Sequence, residues 1–249
     1  MDFRISAKAM RVFRGFRGGA FVSDNAGFLK IVGQTFMPGT PYMLRGGGLA
    51  SYTSGILTNV PDSDVPQEFA LIGYSSADRW QHLMTDTLQG RMYNSTHGGV
   101  YDMSVGRSGA QFPSALSGLD ANDCGPFYTW GEVADWQTGS ICVYFGQANG
   151  KTTGTFRIAT RTAIGALKQG DYDCLICSPG DTTMIVWAHC PALGAAPIDW
   201  TALQAISTPI LSTTAQRILW EEAEPPLQTF TAPKVMNWIF VRDERYFLQ

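Results

Sequence analysis

Charge, histidine and long apolar runs are all scarce in this chain. Of its 249 residues only 16% are charged and three are histidine, whereas 45% are hydrophobic. A chain of this length and composition can bury a large core, which excludes an intrinsically disordered protein. The longest apolar stretches, such as MIVWA and WIFV, fall far short of the roughly 20 residues that a membrane helix needs. The sequence therefore predicts a folded protein without a membrane span.

Recognisable catalytic and cofactor motifs are also lacking. No His-Glu-x-x-His pattern occurs, and Ser108 does not have the Gly-x-Ser-x-Gly spacing of a nucleophile elbow. The triple glycine at 46–48 is not followed by the Lys-Ser or Lys-Thr of a phosphate-binding loop. Glu222 and Glu224 lie on one strand face at a spacing that suits a glycoside hydrolase. We expect no catalytic residue, cofactor or metal, and keep the hydrolase as an alternative.

Positive charge is concentrated at the N-terminal end. The first 17 positions hold five Lys or Arg residues and one acidic residue, without the continuous apolar run of a secretory signal. Phenylalanines alternate with the arginines, and rings favour docking on protein over tracking of phosphate. We predict a basic arm over 1–20 before a single domain over 21–249, with a solvated or strand-paired end as the alternative. The arm residues expected to make contacts are Arg11, Phe13, Arg14, Phe16 and Arg17.

Turn formers and aromatic residues are plentiful. The chain has 27 glycines, 13 prolines and 12% aromatic residues, a composition that favours short strands joined by tight turns. Turn residues at 24–27 and the Asn149-Gly150 pair each separate two apolar-rich runs, as in a β-hairpin. The sequence predicts an all-β protein, an antiparallel β-sandwich or jelly roll with long Gly/Pro loops and one short helix near 197–206.

Residues 68–96 allow two interpretations. As a helix, Trp80, Leu83 and Met84 share one face and Ser75 or Ser76 caps its start. As strands, the same segment forms a meander with turns at 76–79 and at Gln89-Gly90. We favour the meander, because the flanking segments resemble strands.

The stretch DCLICSPGDTTMIVWAHC raises the question of a zinc site. Strand alternation places Cys174 and Cys177 on opposite faces, and a turn at 178–181 sets Cys174 opposite Ile185. Cys190 would then lie about 17 Å beyond that partner, at ~3.3 Å per residue, too far for a shared metal or a disulfide. The pattern predicts a hairpin with buried thiols, and a metal site or redox pair remains an alternative.

An aromatic cluster offers a candidate binding surface. Rings in the segment 124–140 stand among Gly, Asp and Thr, where sugar hydroxyls and C–H faces could both find partners. Core packing is the alternative interpretation for each ring. The candidate ligand-binding residues are Tyr128, Trp130, Asp135 and Trp136.

Two longer segments carry a family likeness. FALIGYSSADRWQHLMTDTLQGRMYNSTHGG and WGEVADWQTGSICVYFGQANGKTTGTFRIAT resemble the meander of a concanavalin-like or laminin-G-type jelly roll. The resemblance implies a β-sandwich module of the kind found in bacteriophage tails and fibres. The family's Trp-His-His stretch, its Glu-x-Asp-x-x-Glu pattern and its calcium loop are missing. Their absence argues against hydrolysis and against calcium binding.

The functional prediction follows from this resemblance. We expect a non-enzymatic virion structural or receptor-binding protein of a bacteriophage, made in the host cytoplasm without a signal peptide. Its expected partners are itself, as a homo-oligomer such as a trimer, other virion proteins and a host-surface glycan, with no specific nucleic acid. A free lectin-like carbohydrate-binding module is the alternative, followed by the glycoside hydrolase.

Overall fold

The chain forms two compact units. One comprises Met1–Phe112 with Gln216–Gln249, and the other comprises Pro113–Ala215. From the sequence we expected a single domain behind an N-terminal arm. A computed structural model describes residues 9–44, 47–57, 65–104, 109–111, 128–131, 139–150, 153–167, 172–192, 198–214, 216–219 and 234–240.

Eleven strands and six α-helices occur in these described residues. The strands are β1 (Ala9–Gly15), β2 (Leu49–Leu57), β3 (Glu68–Tyr74), β4 (Gly109–Gln111), β5 (Tyr128–Gly131), β6 (Ser140–Ala148), β7 (Cys174–Pro179), β8 (Thr183–Cys190), β9 (Ser207–Thr214), β10 (Gln216–Leu219) and β11 (Lys234–Phe240). The helices are α1 (Asn25–Ile31), α2 (Met37–Met43), α3 (Ala77–Asp86), α4 (Leu88–Val100), α5 (Thr153–Gly165) and α6 (Thr201–Gln204). A π-helical segment (Val32–Phe36) joins α1 to α2, and a short 3-10 helix (Gly19–Phe21) precedes α1.

The first unit is built on a βαββαβ motif. Its six-stranded sheet has the order β10-β11-β2-β3-β1-β4, in which β2, β3, β1 and β4 are antiparallel neighbours. Helices α1 and α2 connect β1 to β2, and α3 and α4 connect β3 to β4. This is the ferredoxin-like arrangement. Strand β11 extends the sheet beyond β2, and β10 pairs with β11 in parallel.

The second unit repeats the same topology. Its five-stranded sheet has the order β5-β7-β8-β6-β9, with α5 between β6 and β7 and α6 between β8 and β9. Strand β5 pairs antiparallel with β7, in the place that β11 takes beside β2 in the first unit. No repeat is visible in the sequence, so the two units share an order of elements without a shared motif of residues.

The prediction of an all-β sandwich is wrong, because segments read as hairpins are helical. The turn residues at 24–27 begin α1 instead, where the Asp24 carboxylate accepts a hydrogen bond from Gly27 N at 2.8 Å. Ser76 caps α3 by accepting from Arg79 N at 3.1 Å, so the helical interpretation of 77–86 was the right one. Beyond Asn149-Gly150 the chain enters α5 and not a return strand. The predicted short helix near 197–206 is confirmed as α6.

The hairpin over the cysteines is confirmed as β7 and β8, but its register is wrong. Cys174 lies opposite His189, not Ile185, because the reversal is centred on 180–183 and not on 178–181. The shift brings Cys190 next to the residue opposite Cys174, so the 17 Å separation does not hold. Cys177 and Cys190 belong to the core cluster of the second unit, which Cys174 does not join, as alternation requires.

Each unit has its own apolar core between sheet and helices. In the first, Phe13, Tyr52 and Ile72 of the sheet pack with Phe28 of α1 and Leu83 of α3. In the second, helix residues such as Phe156, Ile164 and Leu203 pack on the sheet. No helix in the described part of the chain is long and apolar enough to cross a membrane.

Candidate functional site

A cavity of about 330 Å³ lies in the first unit, between the sheet and the helices. Its floor is the face of β1, β2 and β3 that carries Arg11, Tyr52 and Glu68. Its walls come from the π segment and α2 to α4. Seven of its sixteen lining residues carry rings: Phe13, Phe36, Tyr52, Tyr74, Trp80, Tyr93 and His97. A volume and lining of this kind are typical of a small-molecule site.

Small residues on the floor leave room for the side chains that lie above the sheet. Along β3, alternate residues face the helices, so Glu68, Ala70 and Ile72 share one side of the sheet. Gly15 lies opposite Glu68, and a Cβ there would come within 2.7 Å of Cε1 of Tyr101. The absence of a side chain at this position allows the Tyr101 ring to lie over the strand.

Glu68 is buried at one end of the cavity, with 3% of its surface exposed. The Tyr101 hydroxyl donates to its Oε2, and the Tyr52 hydroxyl donates to its Oε1 at 3.4 Å. Burial raises the pKa of Glu68 to about 7, against the smaller opposing effect of the two tyrosines. A carboxyl group with this pKa can both accept and return a proton near neutral pH.

Arg11 and Trp80 define the other end. The guanidinium carbon of Arg11 lies 3.5 Å from the centre of the Trp80 ring, a cation–π contact. The Tyr74 side chain also lines the cavity beside it. Burial lowers the pKa of Arg11, but an arginine remains cationic in a protein.

His97 and Tyr93 form a wall between these ends. Nδ1 of His97 donates to the Tyr93 carbonyl at 2.7 Å, one turn earlier on α4. The His97 ring stacks on Tyr101 at 5.5 Å and meets the edge of Phe36 at 5.0 Å. Burial lowers the pKa of His97, so its imidazole is neutral at physiological pH. The Thr40 hydroxyl of α2 forms a hydrogen bond with the Tyr93 hydroxyl at 3.0 Å and donates to the Phe36 carbonyl, four residues earlier, at 2.7 Å.

The arginine- and phenylalanine-rich N-terminal segment lies in or beside this site. Arg11, Phe13 and Arg14 belong to β1, which pairs with β3 and β4 in the sheet. Phe16 is buried, and the backbone of Arg17 forms an isolated antiparallel β-bridge with the backbone of Tyr101. Residues 9–15 are therefore a strand of the sheet and not a separate arm. Every second side chain of this strand faces the helices. A role of this segment in self-association stays a prediction, as do the absence of a cofactor and of specific nucleic acid contacts.

The side chains of the other residues selected from the sequence are not described. Tyr128 and Trp130 belong to β5 of the second unit, and only their backbone is described. Asp135, Trp136, Glu222 and Glu224 lie outside the described residues. Glycan binding by the aromatic cluster therefore stays a prediction.

The hairpin cysteines form no metal site in the described residues, where no group of three or more possible ligands occurs. His189 Nδ1 pairs with Asp173 Oδ1 at 2.6 Å. Cys142 and Cys190 place their sulfur atoms 3.8 Å apart in the core of the second unit. His189 and both cysteines are buried, whereas the Asp173 side chain is 37% exposed, and none of the four residues lines the cavity.

Glu68 and Tyr52 were not predicted as site residues, because Glu68 begins a run interpreted as a strand and Tyr52 lies in a stretch interpreted as a long loop. A signal was present at Glu68, since a single carboxylate begins the apolar run EFALIGY. Because every residue of β3 is buried, that carboxylate is buried too.

No family model matches the chain, and no curated protein matches it. Among solved structures, a protein of Lactobacillus acidophilus named as a putative monooxygenase is similar at 6% identity and a TM-score of 0.31, over 79% of this chain and 80% of that one. A protein of the same description from Fusobacterium nucleatum has 5% identity and a TM-score of 0.34, over 84% and 90%. An anthrone oxidase-like protein has 11% identity and a TM-score of 0.33, over 84% and 92%.

The helices in the quoted segments overturn the predicted family and function. The jelly-roll resemblance is wrong, because its first segment contains α3 and α4 and its second contains α5. The prediction of a non-enzymatic bacteriophage virion protein rested on that resemblance and is wrong with it.

Proposed function

We propose that the protein is an enzyme that binds a small planar molecule in the cavity of its first unit and moves a proton through Glu68. The observation that carries this proposal is a buried carboxyl group lining an aromatic cavity with its pKa raised to about 7. Perturbed acids in such cavities are typical of catalytic sites.

The chemistry suited to this geometry is removal of a weakly acidic proton. The Glu68 carboxylate accepts a proton from a C–H next to a carbonyl. The electron pair of that C–H bond forms a carbon–carbon double bond, and the π pair of the carbonyl moves to its oxygen to give an enolate. Return of the proton from Glu68 reverses the step. The hydroxyl groups of Tyr52 and Tyr101 hold the carboxylate in place, because both donate to its oxygens.

The aromatic lining supports a planar substrate. The rings of Phe36, Tyr93 and His97 meet edge to face within 4.3 to 5.0 Å, so they form a continuous apolar wall. Such a wall excludes water from the bound molecule and strengthens charge effects at its reacting atom. The neutral His97 adds no competing charge.

The test is hydrogen exchange from a carbon acid. 2-Tetralone and anthrone are incubated in deuterated buffer with the protein, and loss of the acidic C–H signal is followed by NMR. We expect catalysed exchange whose rate rises with pH through about 7, because the carboxylate form of Glu68 is the base. Dissolved oxygen is recorded in the same samples, since one similar structure is named for an anthrone oxidase.

Variants separate Glu68 from general effects. Glu68→Gln should lower the exchange rate by about 100-fold or more, the usual contribution of a general base. Asp86→Asn makes the same change at an exposed carboxylate of α3 that pairs with His82, and should leave the rate unchanged. Binding of either compound without exchange, or equal rates in wild type and Glu68→Gln, would contradict the proposal.

A further inference from the structure

Arg11 is a fixed cation inside the cavity. It stands on β1 opposite Ile72, on the same face of the sheet as Phe13 and Glu68. The Trp80 ring centre lies 3.5 Å from its guanidinium carbon and the Tyr74 side chain lies beside it, so its position is defined on two sides. The guanidinium group carries a planar fork of N–H donors, which is the group that recognises a carboxylate.

The cavity's carboxyl group is engaged elsewhere. Glu68 accepts from Tyr52 and Tyr101, and it lies four residues along β3 from Ile72, the residue opposite Arg11. At ~3.3 Å per residue, the backbones at the two ends are about 13 Å apart. Cation and acid therefore occupy opposite ends of one aromatic cavity.

The side chains between Arg11 and Glu68 determine which chemical group of a ligand fits the middle of the cavity. Phe13 and Ala70 form the floor at the next register position, and Tyr93 and His97 form the wall. Apolar floor and aromatic wall favour a flat ring system, whereas the guanidinium favours an anion. A molecule that satisfies both has a ring system at one end and an acidic group at the other.

We propose that the ligand of this cavity is an aromatic carboxylic acid whose carboxylate binds Arg11 and whose ring extends toward Glu68. The assignment of the reacting end rests on the proposed function. The anion site itself rests on Arg11, Trp80 and Tyr74 and holds whether or not Glu68 is a base.

Binding of matched probes tests the inference without turnover. Affinities of 2-naphthoate and of its uncharged amide, 2-naphthamide, are measured by calorimetry with the full chain. We expect wild-type protein to bind the acid at least tenfold more tightly than the amide. Equal affinities, or no binding of either probe, would overturn the inference.

Variants assign the preference to Arg11. Arg11→Met keeps an unbranched side-chain stem but removes the guanidinium group and its charge, and should abolish the preference while retaining affinity for the amide. Arg14→Met is the matched control, since Arg14 lies on the same strand and alternation turns it to the other face. It should keep the tenfold preference. A preference that survives Arg11→Met would place the anion site elsewhere.

Two further results keep the conclusions separate. If Arg11→Met fails to fold, Arg11→Lys retains a charge without the planar fork, and we expect it to keep less of the preference than wild type; full retention counts against the inference. Glu68→Gln should keep the preference for 2-naphthoate while losing hydrogen exchange. Loss of exchange with intact preference supports both proposals, whereas intact exchange with no preference overturns only the present one.

Discussion

The Tyr101 hydroxyl donates a hydrogen bond to Oε2 of Glu68 and links the end of a helix to the start of a strand. Tyr101 is the residue that ends α4, and Glu68 is the first residue of β3. Both are buried, so the link is shielded from water. A shift of α4 against the sheet would therefore change the surroundings of the carboxyl group directly.

Ionisation of Glu68 should make the protein less stable as pH rises. The group has a pKa of about 7 when folded against an ordinary value of 4.5, so its contribution is complete below about pH 4.5 and is lost as pH passes 7. We expect the free energy of unfolding of wild type to fall by about 2 to 3 kcal/mol more than that of Glu68→Gln between pH 5 and pH 8. Urea titrations at both pH values measure this difference. Parallel losses in the two proteins would contradict the raised pKa.

Gly15→Ala should disturb the link between Tyr101 and Glu68. The added methyl group would lie within 2.7 Å of the Tyr101 ring and 2.9 Å of the Phe13 ring, both of which are buried. We expect a loss of about 1 to 3 kcal/mol of stability, the usual cost of overpacking a core. Thermal and urea unfolding measure it, and an unchanged stability would show that the two rings can move apart freely.

Two glycines of α4 should respond to alanine in opposite directions. A Cβ at Gly90 would lie 2.0 Å from the Leu83 carbonyl oxygen of α3, whereas a Cβ at Gly98 meets nothing within 4 Å. Gly98→Ala should stabilise the protein by about 0.5 to 1 kcal/mol, because glycine is a poor helix former. Gly90→Ala should destabilise it by more than that gain. Chemical unfolding of both variants in parallel makes each the control for the other.

Thr87 should be a strong local determinant of α4. Its hydroxyl accepts from Gly90 N at 3.0 Å and donates to the Leu83 carbonyl at 2.7 Å. Thr87→Ala should cost about 1 kcal/mol, whereas Thr87→Ser retains the hydroxyl and should cost less. Thr96→Ala, at an exposed position of the same helix, should stay within about 0.5 kcal/mol of wild type. Similar losses at Thr87 and Thr96 would argue against a capping role.

The hairpin thiols should react slowly in the folded protein. Burial, and to a smaller extent the nearby Asp173 charge, raises the pKa of Cys174 to about 12. Burial raises the pKa of Cys177 as well. We expect alkylation by iodoacetamide at pH 8 to be slow before unfolding and rapid in urea, as followed by mass spectrometry. A chelator should leave the melting temperature unchanged. Stoichiometric zinc bound at Cys174 and Cys177 would contradict this prediction.

The sequence carries the strands more clearly than the helices. β3, β6, β7, β8 and β11 coincide with apolar runs that alternation and turn residues mark as strands. Asp24, Ser76 and Thr87 were harder to interpret, because the same short polar side chains form turns and cap helices. Helix α4 contains three glycines, so its stability comes from packing on the sheet and not from local preference.

The candidate site was less predictable than the fold. Its groups come from positions as distant as 11, 68 and 101, and only strand register brings them together. Arg11 was recognised as a contact residue, but its charge suggested an exposed arm. Gly15 leaves room for the Tyr101 ring and Ala70 lines the cavity, and small residues give no sign of what occupies the space above them.

The π segment between α1 and α2 determines which residues of α2 face the cavity. An α-helix turns about 100° per residue, and a π segment accommodates one extra residue without ending the helix. Deleting one residue from Val32–Phe36 would restore a continuous α-helix and rotate Thr40 by about 100° away from the Tyr93 hydroxyl. Phe36 and Thr40 thus face the cavity because of a count of residues, and a change of length here would empty one wall while leaving every side chain chemically intact.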